Sequence, residues 1–171
     1  LPFSVVRCVR QRPREAHTHD FHEIVVITNG VGLHVTRFEA WPVQAGDILV
    51  IGGNHAHYYD DVRDLRLVNV LYQPDVVGLD IHDISEVSGF TALFGMPHLR
   101  ARHKFRSRFR LKPKDLSTVL TYINGLEHEL AHDHAGREYF AHTHFRLIVG
   151  LLARLYSQEN NLDSSAIVRL A

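Results

Sequence analysis

The sequence has little cysteine, little lysine and no long apolar run. Its single cysteine, Cys8, excludes a disulfide within the chain and favours a reducing compartment, so we expect a cytoplasmic protein. No apolar run approaches the roughly 18 residues that a membrane-spanning helix needs, which argues against a membrane partner. The 19 basic and 19 acidic residues give a formal net charge of zero, so overall charge offers no reason for binding nucleic acid.

Histidine, in contrast, is abundant, with 14 residues. Because imidazole binds transition metals and titrates near neutral pH, this abundance favours a metal site or a response to pH. The length of 171 residues fits one domain, or one domain with an appendage. The chain begins without methionine and ends inside a capped apolar helical pattern over 162–171, so we expect a piece of a longer protein.

Alternation of apolar and polar residues, broken by Gly, Asn and Asp, predicts many short strands in the first 75 residues. Such a pattern is typical of an antiparallel sandwich or barrel. A turn is predicted at Asn29-Gly30. The predicted strands are 4–10, 17–28, 32–38, 41–44, 47–51, 56–60 and 65–73.

The second half is predicted to be mainly helical. Residues 74–97 resemble a loop with room for one short helix, and strict alternation over 99–111 predicts a strand with one basic face. Apolar spacings of 3, 4 and 7 then predict a helix from Pro113 and another over about 138–158. We therefore predict a mostly β fold with α: an antiparallel barrel over 1–111, followed by two antiparallel helices over 112–160.

Near the start of the chain, two histidines and a glutamate all occupy odd-numbered positions. In an extended strand, His17, His19 and Glu23 would face the same side of the sheet. Burying two imidazoles and a carboxylate without partners would cost several kcal/mol. We therefore expect them to contact a metal, a ligand or one another.

The spacing H-x-H-x(3)-E-x(6)-G from His17 to Gly30 resembles the first metal-binding motif of the cupin superfamily. Residues 46–58 are similar to the second cupin motif, which ends in a histidine, here His57, although Asn54 stands where a glycine is usual. The resemblance implies a small double-sheet antiparallel barrel. It also implies a metal site, which would consist of His17, His19, Glu23 and His57.

That ligand set suits Zn²⁺, Ni²⁺, Mn²⁺ or Fe²⁺, and the sequence does not choose among them. The alternative is a hydrogen-bonded polar cluster that lines a barrel without a metal. A metal-dependent cupin enzyme, of the sugar isomerase or dioxygenase type, would use the same residues with an open coordination position.

The barrel, the two helices and the onward helix together resemble the N-terminal sensing and dimerisation domain of AraC-type transcription activators. Residues 19–25, 32–35, 57–59 and 69–72 are most similar to those of regulators of L-rhamnose catabolism. The resemblance implies a non-enzyme that binds a monosaccharide effector in the barrel. It also implies a homodimer formed through 112–160, and DNA binding only through an absent C-terminal helix-turn-helix domain reached by 161–171.

Two further sets of residues are candidates for these roles. Each set has a plain structural alternative, namely ordinary hydrogen bonding for the polar set and core packing for the apolar set. The candidate effector contacts are His34, Asn69 and Tyr72, and the candidate dimer seam is Phe145, Ile148, Leu152 and Leu155.

Two other patterns compete with this interpretation. His128 and His132 belong to an H-E-x-x-H sequence, which is the zinc-peptidase pattern. Helical spacing puts both opposite the apolar stripe, so surface metal binding is expected rather than a peptidase cleft. The basic strand, Arg100 to Arg110, is interpreted as a solvated face that discourages edge pairing, with nucleic acid or the absent domain as alternative partners.

Overall fold

The structure is a computed structural model that describes residues 1–11, 16–53, 55–73, 84–95 and 108–162. Contacts divide the chain into two compact units. Unit 1 comprises 1–77 and 110–116, and unit 2 comprises 78–109 and 117–171. Most of the predicted basic strand and the predicted onward helix lie outside the described residues.

Unit 1 is built on one antiparallel sheet. The sheet order is β1-β5-β2-β4-β6, and β3 also pairs with β2. The strands are β1 (Phe3–Cys8), β2 (His22–Thr36), β3 (Ala40–Gln44), β4 (Asp47–Ile51), β5 (His57–Tyr72) and β6 (Arg108–Arg110).

The predicted turn at Asn29-Gly30 is wrong, because β2 continues through it as one long strand. Irregular pairing with β5 occurs on both sides of Asn29, and Gly30 has a φ of 75°. The Asn29 Nδ2 donates to Asp64 Oδ2 at 2.8 Å. Asn and Gly tolerate the left-handed backbone that a bulge requires as well as the one that a turn requires, and here the neighbouring strand selects the bulge.

β5 likewise joins two of the predicted strands into one. Asp61 and Asp64 lie between them with φ values of 43° and 47°, so the chain kinks without leaving the sheet. The bulges let β2 and β5 contribute to two half-sheets. One half pairs with β1 and β4, and the other half pairs β2 with β3.

The two half-sheets enclose the core of unit 1, which makes it the predicted double-sheet barrel. Parity along each strand decides which side chains point inward. The buried cluster consists of Val25, Ile27, Val43, Leu49, Ile51, Tyr59, Leu65 and Leu67. The fold class is thus mostly β with α, as predicted.

Apart from residues 108–109 of β6, the described part of unit 2 is helical. A short 3₁₀ turn (Ile84–Glu86) precedes α1 (Ser88–Phe94), and the two long helices are α2 (Pro113–Ala131) and α3 (Arg137–Glu159). α1 packs closely on α3, since the Gly89 N–H donates to Ser157 Oγ at 2.7 Å. Among the described residues, no helix is both long and apolar enough to span a membrane.

Candidate functional site

Glu23 is the centre of a polar cluster on the inner face of the barrel. It shares parity on β2 with Val25 and Ile27, which belong to the core. Its Oε2 lies 3.5 Å from His19 Nε2 and 3.5 Å from His57 Nε2. All three side chains are at most 7% exposed. The barrel therefore encloses two imidazoles against one carboxylate.

Backbone carbonyls orient both imidazoles of this cluster. His19 Nδ1 lies 2.6 Å from the Phe21 carbonyl oxygen, and His57 Nδ1 lies 3.0 Å from the His55 carbonyl oxygen. In the neutral tautomer that donates from Nδ1, the lone pair sits on Nε2 and faces Glu23. Stacking of the His19 ring on Phe21, at 4.1 Å between centroids, further fixes that ring.

The electrostatics of the cluster favour a proton on His57. Burial alone lowers the pKa of His57, but the Glu23 carboxylate and the bond to the His55 carbonyl outweigh burial. The pKa of His57 is therefore raised above its ordinary value of 6.5. The pKa of Tyr59 is also raised, mainly by burial and then by the charges of Glu23 and Cys8.

The cluster fits a divalent metal. Ligand atoms about 2.1 Å from a tetrahedral Zn²⁺ are roughly 3.4 Å apart, close to the 3.5 Å separations here. His19 Nε2 is buried and has no hydrogen-bond partner among the described residues, as a ligand atom would. Anchoring of each Nδ1 on a carbonyl oxygen is the usual outer support of a metal-bound histidine. His19, Glu23 and His57 would be the ligands.

His17, the fourth predicted ligand, lies beside this group. Its backbone pairs with that of His57, and the two rings are 4.8 Å apart by centroid. The side chain is exposed, however, and the group of ligand atoms within 4.8 Å of one another does not include it. The structure thus brings together three of the four predicted ligands.

Of the predicted effector contacts, His34 and Asn69 face the barrel interior and Tyr72 does not. His34 is buried, and its ring lies 5.5 Å from that of His57. Asn69 pairs with the inward residue Val25. Tyr72 pairs with His22, on the opposite face of the sheet.

Sequence reasoning missed Tyr59 and Trp41. Both rings contact His34, at centroid distances of 5.1 and 4.8 Å. The Tyr59 hydroxyl is buried and has no hydrogen-bond partner among the described residues, and the same holds for Asn69 Oδ1. The signal for Tyr59 was its parity with His57, two positions earlier on the same strand.

The residues predicted for a dimer seam are mostly internal. Phe145, Ile148 and Leu152 are fully buried, and Leu155 is partly exposed. His128 in α2 and His132 just after it are both exposed, on the side that helical spacing predicts.

Known proteins place this geometry in a family. Residues 5–168 match the model of the AraC-like ligand binding domain. The chain is 30% identical over 162 residues to the HTH-type transcriptional activator RhaR of Shigella dysenteriae serotype 1, covering 95% of this chain and 52% of the relative. It is 32% identical over 149 residues to RhaR of Escherichia coli strain K12, covering 87% and 48%.

A solved structure agrees with the fold. The apo form of a ToxT variant from Vibrio cholerae strain SCE256 superposes with a TM-score of 0.56 at 13% identity, covering 94% of this chain and 58% of that chain. The fold is an antiparallel double-sheet barrel followed by helices. The chain belongs to the family of AraC-like ligand-binding domains, and it spans about half the length of the curated relatives it matches.

Proposed function

We propose that this chain is the effector-sensing and dimerisation domain of a transcriptional regulator, and that its effector is a monosaccharide, with L-rhamnose as the first candidate. The observation that carries the proposal is the family match over 5–168, because it covers both the barrel and the helices. Since the matched relatives are transcriptional activators, the protein would act in the cytoplasm and reach DNA through a helix-turn-helix domain beyond these residues.

The inner face of the barrel supplies the chemistry that a sugar needs. Glu23 accepts hydrogen bonds from hydroxyl groups, whereas the Tyr59 hydroxyl can both donate and accept. Neither the Tyr59 hydroxyl nor Asn69 Oδ1 has a hydrogen-bond partner among the described residues, so a polyhydroxylated ligand would satisfy buried groups that are otherwise costly. Trp41 and His34 add aromatic surface for the apolar face of a pyranose ring.

A divalent metal would be held by His19, Glu23 and His57, and when bound it would supply a Lewis acid for a ligand oxygen. The carbonyl oxygens that accept from His19 Nδ1 and His57 Nδ1 keep both Nε2 atoms directed at the site, whether the partner is a metal or a sugar hydroxyl. His17 remains a proposed additional ligand.

Dimerisation would use the side of α3 that faces away from its buried stripe. Phe140 and Leu147 are 48% and 41% exposed, and Leu151 and Leu155 are partly exposed. These four residues lie along one side of the helix at 3.6 residues per turn. Effector binding would then shift the population between two arrangements of the full regulator, for which about 1–3 kcal/mol of coupling suffices.

Calorimetry tests whether the effector is a monosaccharide. L-rhamnose should give a saturable heat, while D-glucose should not. A Tyr59→Phe variant removes only the buried hydroxyl and should bind about tenfold more weakly, which corresponds to one lost hydrogen bond of roughly 1.4 kcal/mol. Tyr58→Phe is the matched control, because Tyr58 pairs with Val35 and has the opposite parity. If neither L-rhamnose nor any other monosaccharide gives heat, the proposal of a sugar effector is refuted.

The enzyme alternative is not favoured, because the curated relatives are transcriptional activators. It uses the same three residues, so it is tested by incubating metal-loaded protein with aldoses and following their isomerisation. Turnover that Glu23→Gln abolishes would reinstate it.

A further inference from the structure

The turn between α2 and α3 carries a second group of histidines, far in sequence from the barrel cluster. His128 and His132 lie in the last turn of α2 and just after it, and His134 follows in the connection to α3. One ring nitrogen from each falls within 4.8 Å of the others. The centroid of the His132 ring is 4.4 Å from that of His128 and 5.4 Å from that of His134.

We infer that these three histidines form a Zn²⁺ or Ni²⁺ site that clamps the end of α2 to the turn before α3. Imidazole nitrogens are preferred ligands of both cations. The nitrogens of a tetrahedral site lie about 3.4 Å apart, so closing from 4.8 Å needs only small rotations of exposed side chains. Three protein ligands leave the fourth position to water.

His132 is already oriented as a metal ligand. Its Nδ1 lies 2.8 Å from the His128 carbonyl oxygen, one helical turn earlier. Donation from Nδ1 to that carbonyl leaves the lone pair on Nε2, the atom that would bind the metal. The helix thus provides both the first ligand and the acceptor that positions the second.

The backbone around His134 is held in place independently. The Arg137 N–H donates to the His134 carbonyl oxygen at 3.2 Å, and the Arg137 guanidinium pairs with Asp133 at 3.2 Å. Gly136 adopts a φ of 82°, which lets the chain reverse into α3 within a few residues. His134 therefore faces the end of α2 because of the turn, and an adventitious pair on a helix would lack this third ligand.

Zinc binding to a variant without the two barrel histidines, called the silenced variant, tests the site formed by His128, His132 and His134. In a His19→Ala/His57→Ala variant, competition with a chromophoric chelator should show one bound Zn²⁺. Adding His134→Gln should weaken it by about 10–100-fold, since even outer-shell losses have effects of that size. Adding His142→Gln, a change on α3 outside both clusters, should not weaken it. No zinc binding to the silenced variant, or equal binding after His134→Gln, would refute the site.

A second measurement keeps the test decisive if the silenced variant fails to fold. In the unaltered protein, amide NMR shifts should report two zinc-binding events, one of them confined to residues near 128–137. His134→Gln should remove only that event and leave the barrel shifts intact. Zinc-dependent shifts confined to the barrel would refute the proposed second zinc site. Failure to bind a sugar would bear only on the proposed function and not on this site.

Discussion

Glu23 is the residue on which the barrel site depends. Its side chain is buried, 5% exposed, and its Oε2 atom lies 3.5 Å from Nε2 of both His19 and His57. A buried carboxylate is stabilised when a proton on a neighbouring histidine or a metal cation compensates its charge. Since the cluster holds one carboxylate against two histidines, proton and metal compete for the same place.

The pKa of His57 predicts how stability depends on pH in metal-free buffer. Because that pKa is raised above 6.5 on folding, the stabilisation is fully present below 6.5 and is lost as pH rises through the raised value. The free energy of unfolding should therefore fall as pH increases above 6.5, because His57 loses its proton in the folded protein. Urea denaturation across this range should show the slope in the unaltered protein and a smaller slope in His57→Gln. An unchanged slope in His57→Gln would contradict the assignment.

Removing the charge of Glu23 should weaken metal binding. Glu23→Gln keeps the volume of the side chain but replaces an anionic ligand by a neutral amide, so we expect at least a 10–100-fold loss of affinity at this site. Zinc competition on a His134→Gln background isolates the barrel. Glu39→Gln, an exposed change between β2 and β3, is the control and should bind like the parent.

At the level of elements, the bulge in β2 gives the barrel its shape. Gly30 lies with positive φ directly against the backbone of Asp64 on β5. This irregularity bends β2 between the segment that pairs with β4 and the segment that pairs with β3. The position of the glycine therefore determines where the strand passes from one half of the barrel to the other.

Two glycine substitutions should have opposite effects on stability. Gly30→Ala puts a Cβ against the Asp64 carbonyl at a φ of 75° and should lower the free energy of unfolding by at least about 1–2 kcal/mol. Gly150→Ala, inside α3, places its Cβ 3.6 Å from Ile84 Cδ1, an ordinary contact. This change should raise the free energy of unfolding by roughly 0.5–1 kcal/mol. Thermal and urea unfolding measure both, and a neutral Gly30→Ala would show that the bulge tolerates side chains.

The local sequence pattern predicted the strands and helices well but the connections between them poorly. The strand 47–51 follows from its short continuous apolar run, which is buried on both faces, and both long helices follow from apolar spacings of 3, 4 and 7. Asn29-Gly30 was predicted as a turn because local preferences cannot distinguish a turn from a bulge. That distinction depends on β5, which lies far along the chain.

The site was predictable to the extent that the cupin spacing covers it. His19, Glu23 and His57 come together as the two motifs imply, although β2 begins only at His22, so the position of His17 could not follow from strand parity. Tyr72 was separable from Asn69 in principle, since residues three apart on a strand face opposite sides.

On the scale of the whole chain, α3 has two apolar sides. One is buried, and includes Phe145 and Leu152. The other leaves Phe140 and Leu147 substantially exposed. A helix with apolar residues on both sides commonly serves both its own core and a partner, which supports a dimer through this second side.

A charge on the exposed side of α3 should disrupt the proposed dimer. Leu147→Glu should shift the protein to monomer in sedimentation measurements while leaving its circular dichroism unchanged, because a buried unpaired carboxylate is costly at an interface. Phe38→Glu is the control, since Phe38 is 84% exposed between β2 and β3 and should not alter association. A Leu147→Glu protein that remains dimeric would exclude this side.

The pairing of β2 with β5 also has a kinetic consequence. Closing the loop costs least at Thr36 and His57, the pair closest along the chain, so we expect pairing to begin there and to proceed to His22 and Tyr72. Chains dominated by such distant contacts fold slowly, on the order of milliseconds to seconds. Glu23 reaches His57 only after pairing has passed the irregular stretch of β2 over 27–33, so the candidate site forms only in chains that have completed the correct register, and a ligand that binds there would select them.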